Sequence, residues 1–282
     1  MEEDQPASRG PLIAVKGAGD LASGVIHRLT RAGLPVIATE LAQPTVLRRT
    51  VAFAEAVTLG EMTVEGITAR RVDTLDEARA LLSRREVPIF VDPSGALLRA
   101  VRPCALIEAT LSKRNSGIDI HDAPVVIALG PGYEAGRDVH AVVETNRGHN
   151  LGRVYLQGTA EADTGVPGVI GGYSSERLLR APCAGTLYGK RSIGDAIEAG
   201  EIVAHVEAAG TTTPVRAAIG GILRGLVRDG LPVSVGMKVG DVDPRAVREH
   251  CFTISDKSRA VAGGVLEALL TLLPAHWEYI LN

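Results

Sequence analysis

A glycine-rich turn near the start of the chain has residue types and a spacing that suit a bound diphosphate. Gly17, Gly19 and Ala22 directly follow an apolar run, and glycines at this spacing let the backbone approach a phosphate at the start of a helix. Glu40 ends the next apolar run and is placed to bind ribose hydroxyls. Asp20 lies where the helix begins, and its carboxylate is equally able to cap the same backbone N–H groups. A bound dinucleotide and a plain glycine turn capped by Asp20 both fit this segment.

Three separate loop segments are rich in cationic and hydrogen-bonding side chains. The last of them lies at the start of a C-terminal helix, whose first N–H groups also favour anions. If the segments converge, they form a pocket for a phosphate, a pterin phosphate or another oxyanion, which the arginine fork binds well. Solvated loop charges are the alternative. The residues concerned are Lys113, Arg114, Asn115, Arg147, His149, Asn150, Lys257 and Arg259.

A fourth candidate segment follows a buried apolar run. Gly130 and Gly132 come directly after residues 125–129, at the carboxyl edge of the predicted sheet, where open α/β sheets bind ligands. A ligand loop and a plain turn are equally consistent with this sequence.

The histidines and carboxylates lack the spacing of a metal site. Asp119, His121 and Asp122 are followed by His140 and His149, but these intervals match no known ligand motif. We therefore predict no metal-binding residues, and the sequence assigns no catalytic residue.

Composition restricts the class of protein and its compartment. The 282 residues are 45% hydrophobic and 22% charged, with a formal net charge of −3. These values are typical of a globular protein and give no reason to expect nucleic acid or a membrane surface as a partner. Cys104, Cys183 and Cys251 form no CxxC pair, which favours a reducing compartment. The acidic start lacks a signal-peptide pattern, so we expect a cytoplasmic location.

Alternating strands and helices must position these side chains. A helix is predicted after the glycine turn, a hairpin over residues 62–71, and a helix opened by a capping box at Thr74 and Glu77. Strands that alternate with helices favour a doubly wound sheet. The predicted strands are the apolar runs 12–15, 35–40, 56–59, 87–91, 105–108 and 125–129.

A gapless internal repeat occupies residues 179–207 and 215–243. A shift of 36 residues aligns Arg180 with Arg216, and four of the nine identities over the 29 positions are glycines, which small barrels need at sharp turns. The pattern resembles the biotinyl/lipoyl family of β-barrels, in which two such halves are related by a pseudo-twofold axis. Carriers of that family bear a modified lysine on the hairpin between the halves, but residues 208–214 contain no lysine. The expected role is structural or docking.

We therefore predict an α/β protein with three parts. A Rossmann-like parallel sheet domain is followed by a small pseudo-twofold β-barrel (a barrel-sandwich hybrid), and a C-terminal helix packs back on the first domain. The predicted boundaries are a disordered segment at 1–10, the Rossmann-like domain with a loop-rich extension at 11–176, the barrel at 177–245 and the helical segment at 246–282.

Several longer phrases together resemble one protein family. They include KGAGDLASGVIHRL, SKRNSGIDIHDAPVVIALGPGY, VHAVVETNRGHNLGRVY and ISDKSRAVAGGVLEA. As a set, from about residue 11 to residue 270, they resemble the YqeB-type proteins, known as selenium-dependent molybdenum hydroxylase system proteins. The resemblance implies a role beside hydroxylases whose active site carries a labile selenium, and it indicates a pathway and not a reaction. The chain is also similar to XdhC-type factors, Rossmann-like accessories that help place the molybdenum cofactor.

Three functions fit these observations. The leading one is an accessory or maturation factor for a selenium-dependent molybdenum hydroxylase, binding an anionic nucleotide-like ligand such as molybdopterin dinucleotide. Arg114, Arg147, His149 and Lys257 would then neutralise the ligand, while Glu40 or Asp119 would hold its hydroxyl or amino groups. The alternatives are an NAD(P)-dependent oxidoreductase and a non-catalytic adaptor that docks a partner enzyme through the barrel.

Overall fold

The computed structural model describes residues 10–273. The chain divides into two compact units: unit 1 comprises Met1–Pro44, Ala52–Asp163 and Ile254–Asn282, and unit 2 comprises Thr45–Val51 and Thr164–Thr253. Disorder was predicted for residues 1–10, and residues 1–9 of that segment lie outside the described residues. No helix between residues 10 and 273 is long and apolar enough to cross a membrane.

Unit 1 contains both helices and strands. Its helices are α1 (Asp20–Arg31), α2 (Ala56–Leu59), α3 (Leu75–Ser83), α4 (Ala96–Ala100) and α5 (Asp256–Leu272). Its strands are β1 (Ile13–Lys16), β2 (Val36–Glu40), β3 (Glu61–Val64), β4 (Ile67–Arg71), β5 (Val87–Val91), β6 (Ala105–Glu108), β7 (Val125–Leu129), β8 (Glu134–Ala135), β9 (Ala141–Val143), β10 (Val154–Tyr155) and β11 (Gly158–Thr159).

The main sheet of unit 1 has the strand order β10-β9-β7-β6-β1-β2-β5-β4-β3 among the described residues. The pairs from β9 through to β4 are parallel. The two edge strands, β10 and β3, pair antiparallel. The direction of strand order reverses at β1, because β2 lies on one side of it and β6 on the other.

Local sequence explains most of these elements. Helix α1 buries Leu21, Val25 and Leu29 on one face, as the apolar spacing predicts, and α3 has the predicted capping box. The buried strands over 87–91, 105–108 and 125–129 are confirmed. The strand predicted over 56–59 is wrong, because this run forms the short helix α2. A four-residue apolar run does not distinguish a strand from a helical turn by periodicity.

Unit 2 consists mainly of β-strands that follow the internal repeat. A shift of 36 residues places β12 to β15 on β16 to β19. The two four-stranded sheets have the orders β12-β19-β17-β14 and β16-β15-β13-β18, so each sheet takes two strands from each copy. The strands are β12 (Leu178–Arg180), β13 (Gly185–Gly189), β14 (Ala196–Ile197), β15 (Ile202–Ala208), β16 (Thr211–Arg216), β17 (Gly221–Leu226), β18 (Leu231–Val233) and β19 (Lys238–Asp243).

The predicted fold, a Rossmann-like parallel sheet domain with a biotinyl/lipoyl-like barrel, is wrong. The main sheet is mixed, because the hairpin β3–β4 and the short strand β10 give it antiparallel edges. The repeat forms two separate antiparallel sheets and not one closed barrel. An antiparallel neighbour needs only a tight turn, here at Glu65 and Gly66, whereas a parallel one needs a crossover. A hairpin can therefore add an antiparallel strand to the edge of the sheet without a crossover helix in the sequence.

Candidate functional site

The candidate site lies at the carboxyl ends of β1 and β6, where the strand order reverses. The two strands are parallel neighbours, and their last residues, Lys16 and Glu108, are partners in register. Ligands of open α/β sheets bind in the crevice at this position. The residues at and directly after these two strand ends are therefore the candidates for a ligand site.

Lys16 and Glu108 form a buried ion pair. Lys16 Nζ lies 3.7 Å from Glu108 Oε2, and the two side chains are only 6% and 1% exposed. The ammonium donates to the carbonyl oxygen and to Oγ of Ser116 at 3.2 and 3.0 Å. The carboxylate accepts hydrogen bonds from the Thr110 N–H and hydroxyl and from the Ser116 hydroxyl. These partners satisfy two charges that would otherwise be costly to bury.

Tyr133 completes this polar cluster. Its hydroxyl donates to Ser116 Oγ at 3.0 Å and accepts the Ser116 backbone N–H at 2.9 Å. Burial raises the pKa of Tyr133, and the nearby negative charge of Glu108 raises it further. The phenol therefore stays protonated near neutral pH and acts as a hydrogen-bond donor, not as a base. The sequence analysis missed this cluster. The only signal of this cluster in the local sequence is that each of two apolar strands ends in a charged residue, Lys16 and Glu108.

The glycine turn is shaped by the acidic residue that was expected to bind ribose. Gly17 has φ +96°, and its N–H donates to Thr39 O at 2.9 Å. Glu40 Oε2 accepts the Ala18 N–H at 2.9 Å, and Oε1 accepts the Leu41 N–H at 2.7 Å. The observed role of Glu40 is thus to hold the turn, and binding of ribose hydroxyls stays a prediction.

The N-cap residue of α1 supplies no side-chain cap. Gly19 is the N-cap residue, and no side chain hydrogen-bonds to the first turn from there. Asp20 is the first residue of the helix, and capping of the first turn by its carboxylate stays a prediction. Ala22 is buried inside α1. Uncapped N–H groups at a helix start attract anions.

A close helix contact brings α5 to this position. A Cβ on Gly24 of α1 would lie 2.8 Å from the Cβ of Ser258, so only glycine allows this approach. The Ser258 hydroxyl donates to the carbonyl oxygen of Asp20 at 3.4 Å, and the Ser255 hydroxyl caps α5 by accepting the Ser258 N–H. The start of α5, with Lys257, therefore lies beside the start of α1.

Three of the predicted cations converge around this point. Lys257 is half-buried, and burial lowers its pKa; Arg147 and Lys113 lower it further, while Asp20 raises it. Arg147 donates a bidentate pair of hydrogen bonds to Asp256 at 2.7 and 2.8 Å. Within residues 10–273, Lys257 makes no hydrogen bond or close ion pair of its own. Its ammonium is therefore the available charge of the cluster.

The loop that carries Arg147 is fixed by a buried carboxylate that the sequence analysis also missed. Glu144 is fully buried. Its Oε1 accepts the N–H groups of Thr145 and Asn146, and its Oε2 accepts the Glu161 N–H, each at 2.7 Å. Two backbone segments are thereby tied to the end of β9. Glu144 also contributes a negative charge that raises the pKa of Lys257.

Other predicted residues serve the protein's own loops. Asn115 Oδ1 accepts the N–H groups of Gly117 and Ile118, and Asn150 Nδ2 donates to Glu161 Oε1 at 2.8 Å. Lys113 pairs with Asp163 at 3.0 Å. Asn115 and Asn150 thus shape the loops, while Lys113 stays near Lys257.

The space beside the two glycines after β7 is occupied by neighbouring loops of the protein. A Cβ on Gly130 would lie 2.5 Å from Thr145 Oγ1, and one on Gly132 would lie 2.7 Å from the Arg114 backbone nitrogen. Both glycines therefore permit close packing of neighbouring loops. Arg114 and His149 are exposed.

Arg259 does not join the cluster. Its guanidinium donates to both carboxylate oxygens of Glu65, at 2.9 and 2.8 Å, in the turn between β3 and β4. Glu65 also accepts the Ile254 N–H at 2.8 Å. These hydrogen bonds hold the pKa of Glu65 below its usual value despite the opposing effect of burial. The observed partner of Arg259 is thus Glu65, and binding of a ligand by Arg259 stays a prediction.

The groups around the start of α1 are of types that are able to bind an anion. The cluster combines a helix start with a glycine at its N-cap, a half-buried ammonium and an arginine fork, which are groups that proteins use for phosphates. Over the described part of the chain, no group of three or more His, Cys, Asp or Glu side chains is arranged to hold a metal ion.

Comparison with known sequences gives one informative match. The chain is 48% identical over 273 residues to the uncharacterized protein YqeB of Escherichia coli (strain K12), in an alignment that covers 97% of this chain and 50% of that protein. The chain therefore spans about half the length of this relative. The resemblance to YqeB-type proteins is confirmed as sequence similarity. No protein-family model matches the chain.

Likeness to solved structures is weak. TcdA (CsdL) aligns with 94% of this chain and 89% of its own, at 13% identity and a TM-score of 0.31. An aspartoacylase family protein from Mesorhizobium loti aligns with 83% of this chain and 84% of its own, at 14% identity and a TM-score of 0.28. TM-scores this low support no conclusion about the activity of this chain.

Proposed function

We propose that this chain binds an anionic, nucleotide-like or molybdopterin-type ligand and acts as a cytoplasmic accessory or maturation factor for a selenium-dependent molybdenum hydroxylase. The observation that carries the binding proposal is the half-buried Lys257 at the start of α5, which lies beside the start of α1, with the Arg147 guanidinium held on the neighbouring Asp256. The resemblance to YqeB-type proteins, and not the geometry, supplies the link to molybdenum and selenium.

The electrostatics of the site favour a phosphate over a neutral ligand. Burial lowers the pKa of Lys257, which means that holding the protonated form there costs free energy. A phosphate beside Lys257 would offset that cost and would also accept the N–H groups at the start of α1. Arg147 presents a planar fork, and a phosphate is able to replace the Asp256 carboxylate on it.

An NAD(P)-dependent oxidoreductase is the second candidate, because the site supplies a proton donor that the sequence analysis lacked. Tyr133 is protonated and lies in the Lys16–Glu108 cluster at the same sheet edge. Glu40 argues against this candidate, because both of its carboxylate oxygens are already engaged by backbone N–H groups.

The test measures binding of defined anions to the purified full chain. We expect calorimetry to detect binding of pyrophosphate and of cytidine diphosphate. Lys257→Gln and Arg147→Ala should each weaken binding by about tenfold, the value of one charge-assisted hydrogen bond. The matched control is Lys190→Gln, which changes an exposed lysine in unit 2. Unchanged affinity in both site variants would refute the pocket assignment.

Ligand identity needs two further measurements. Mass spectrometry of the ligand that co-purifies with the chain should identify a pterin or a cytosine-containing dinucleotide. Titration with NAD⁺ and NADP⁺ should leave the melting temperature unchanged at millimolar concentration. A saturable shift with either cofactor would favour the oxidoreductase instead.

A further inference from the structure

A second candidate binding site lies at the amino ends of the parallel strands of the main sheet, opposite the carboxyl ends that carry the first site. A cavity of about 520 Å³ is lined by residues that precede the parallel strands β6, β7 and β9, among them Cys104, Pro124 and His140. Its volume falls in the range of roughly 300–1,000 Å³ that is usual for small-molecule sites. Because the amino ends of parallel strands all lie on one side of the sheet, this cavity is separate from the site at the carboxyl ends of β1 and β6.

The charged lining of the cavity is unbalanced. Arg99 Nε donates to Asp122 Oδ1 at 2.8 Å, and its Nη2 donates to Gly117 O at 2.6 Å. This pair leaves Asp122 neutralised and Arg99 fixed in place. Arg102 also lines the cavity and makes no ion pair or side-chain hydrogen bond with any residue between 10 and 273. One positive charge at the cavity is therefore uncompensated.

His140 is held in a single orientation on the wall of the cavity. The ring Nδ1 accepts the Val126 N–H at 3.0 Å, and the backbone N–H of His140 donates to Val126 O at 2.8 Å. An accepting Nδ1 places the proton of the neutral ring on Nε2. His140 therefore offers a fixed donor, and His121 is a second imidazole in the lining.

We propose that this cavity binds a small organic oxyanion, either a carboxylate or a phosphate monoester, through Arg102 and His140. Pro103, Ile120 and Pro124 supply an apolar wall, which suits a ligand with a compact hydrocarbon part. The inference is independent of the proposed function, because it uses none of the residues around Lys257.

Binding at this cavity should be coupled to protonation. Burial lowers the pKa of His140, and the nearby His121 lowers it further. The other charged or titratable groups in the lining are Arg99, Arg102, Asp122 and Cys104. Protonation of His140 places a proton on Nδ1 and breaks its hydrogen bond with the Val126 N–H. A bound anion favours the imidazolium, so the ligand should raise the pKa of His140 and bind more tightly as the pH falls.

The test follows the ring-proton NMR signals of His140 and His121 while succinate or inorganic phosphate is added to the full chain, with choline as a cationic control. We expect saturable shifts with the anions, a higher titrated pKa of His140, and no response to choline. Arg102→Gln should weaken binding about tenfold, as expected for one charge-assisted hydrogen bond. A larger response to succinate than to phosphate would identify the carboxylate as the preferred class, and the reverse would identify the phosphate.

The control variant is Arg85→Gln. Arg85 is exposed and, like Arg102, has a positive φ, +58° against +48°, so the two substitutions perturb the backbone alike. Arg85→Gln and Lys257→Gln should both bind as the unaltered chain does. Shifts that are absent, that do not saturate, or that persist in Arg102→Gln would overturn the proposal. Loss of the response in Lys257→Gln would place the anion at the other site and would also overturn it.

Discussion

Replacement of Lys16 by methionine should destabilise unit 1 far more than removal of a surface charge. The substitution keeps the length of the side chain but leaves the Glu108 carboxylate buried without its cation. At the observed separation of 3.7 Å, two unit charges in an effective dielectric of about 20 attract each other by roughly 4 kcal/mol. Breaking a buried pair by removing one partner costs about 3–5 kcal/mol. We therefore expect a loss of about 3–5 kcal/mol in the free energy of unfolding.

The assay is a double-mutant cycle. Urea unfolding is followed by circular dichroism for Lys16→Met, Glu108→Gln and the double variant, and amide exchange in β1 and β6 localises the effect to unit 1. The double variant should lose about 2–4 kcal/mol less than the two single losses added together, because it buries no unpaired charge. The matched control is Arg79→Met. Arg79 pairs with Asp76 on the surface of α3, where the side chains are 74% and 90% exposed, so its removal should cost less than about 0.5 kcal/mol.

Two results would refute this reasoning. If Lys16→Met lost no more stability than Arg79→Met, the pair would not be desolvated as the structure has it. If the losses in the cycle were simply additive, Lys16 and Glu108 would not depend on each other.

Three further predictions concern helices of unit 1. Gly24→Ala should cost about 1–3 kcal/mol of unfolding free energy by overpacking against Ser258. The control is Gly263→Ala in α5, where an added Cβ meets nothing within 4 Å, and it should stabilise the chain by up to about 1 kcal/mol in the same urea assay. Destabilisation by both substitutions would contradict the close contact of Gly24 with Ser258. Because burial lowers the pKa of Lys257 in the folded chain, stability should fall as the pH decreases from about 10.4 through that lowered value, and Lys257→Met should abolish the fall in thermal melts across this range. Thr74→Ala should cost about 0.5–2 kcal/mol, because it removes the observed cap of α3, and amide exchange in α3 should accelerate while exchange in α5 does not.

Local patterns predicted much of unit 1. The runs that became β5, β6 and β7 were continuous and apolar, as strands covered on both faces must be, and the spacing of Leu21, Val25 and Leu29 specified the buried face of α1. Edge strands carry a weaker signal. The pairing of β3 with β4 was predicted as a hairpin, but its position at one edge of the main sheet was not, and nothing in the sequence fixes the neighbour of β10. These two strands make the sheet mixed.

The site could be predicted only where its residues are close in sequence. The glycine turn was visible, but the pairing of Lys16 with Glu108 depends on which strands are neighbours in the sheet. Arg147 and Arg259 looked alike as loop cations. Their different positions follow from distant partners, Asp256 for one and Glu65 for the other, and a single sequence does not show such pairings.

The exchange of strands between the two repeats in unit 2 has a consequence for cooperativity. Neither copy keeps a sheet to itself, since every sheet needs two strands from each half. A half that detached would leave unpaired backbone edges on both sheets, and no intermediate with one folded half satisfies its hydrogen bonds. We therefore expect the two copies to fold together as one cooperative unit, and not in turn as stacked repeats do.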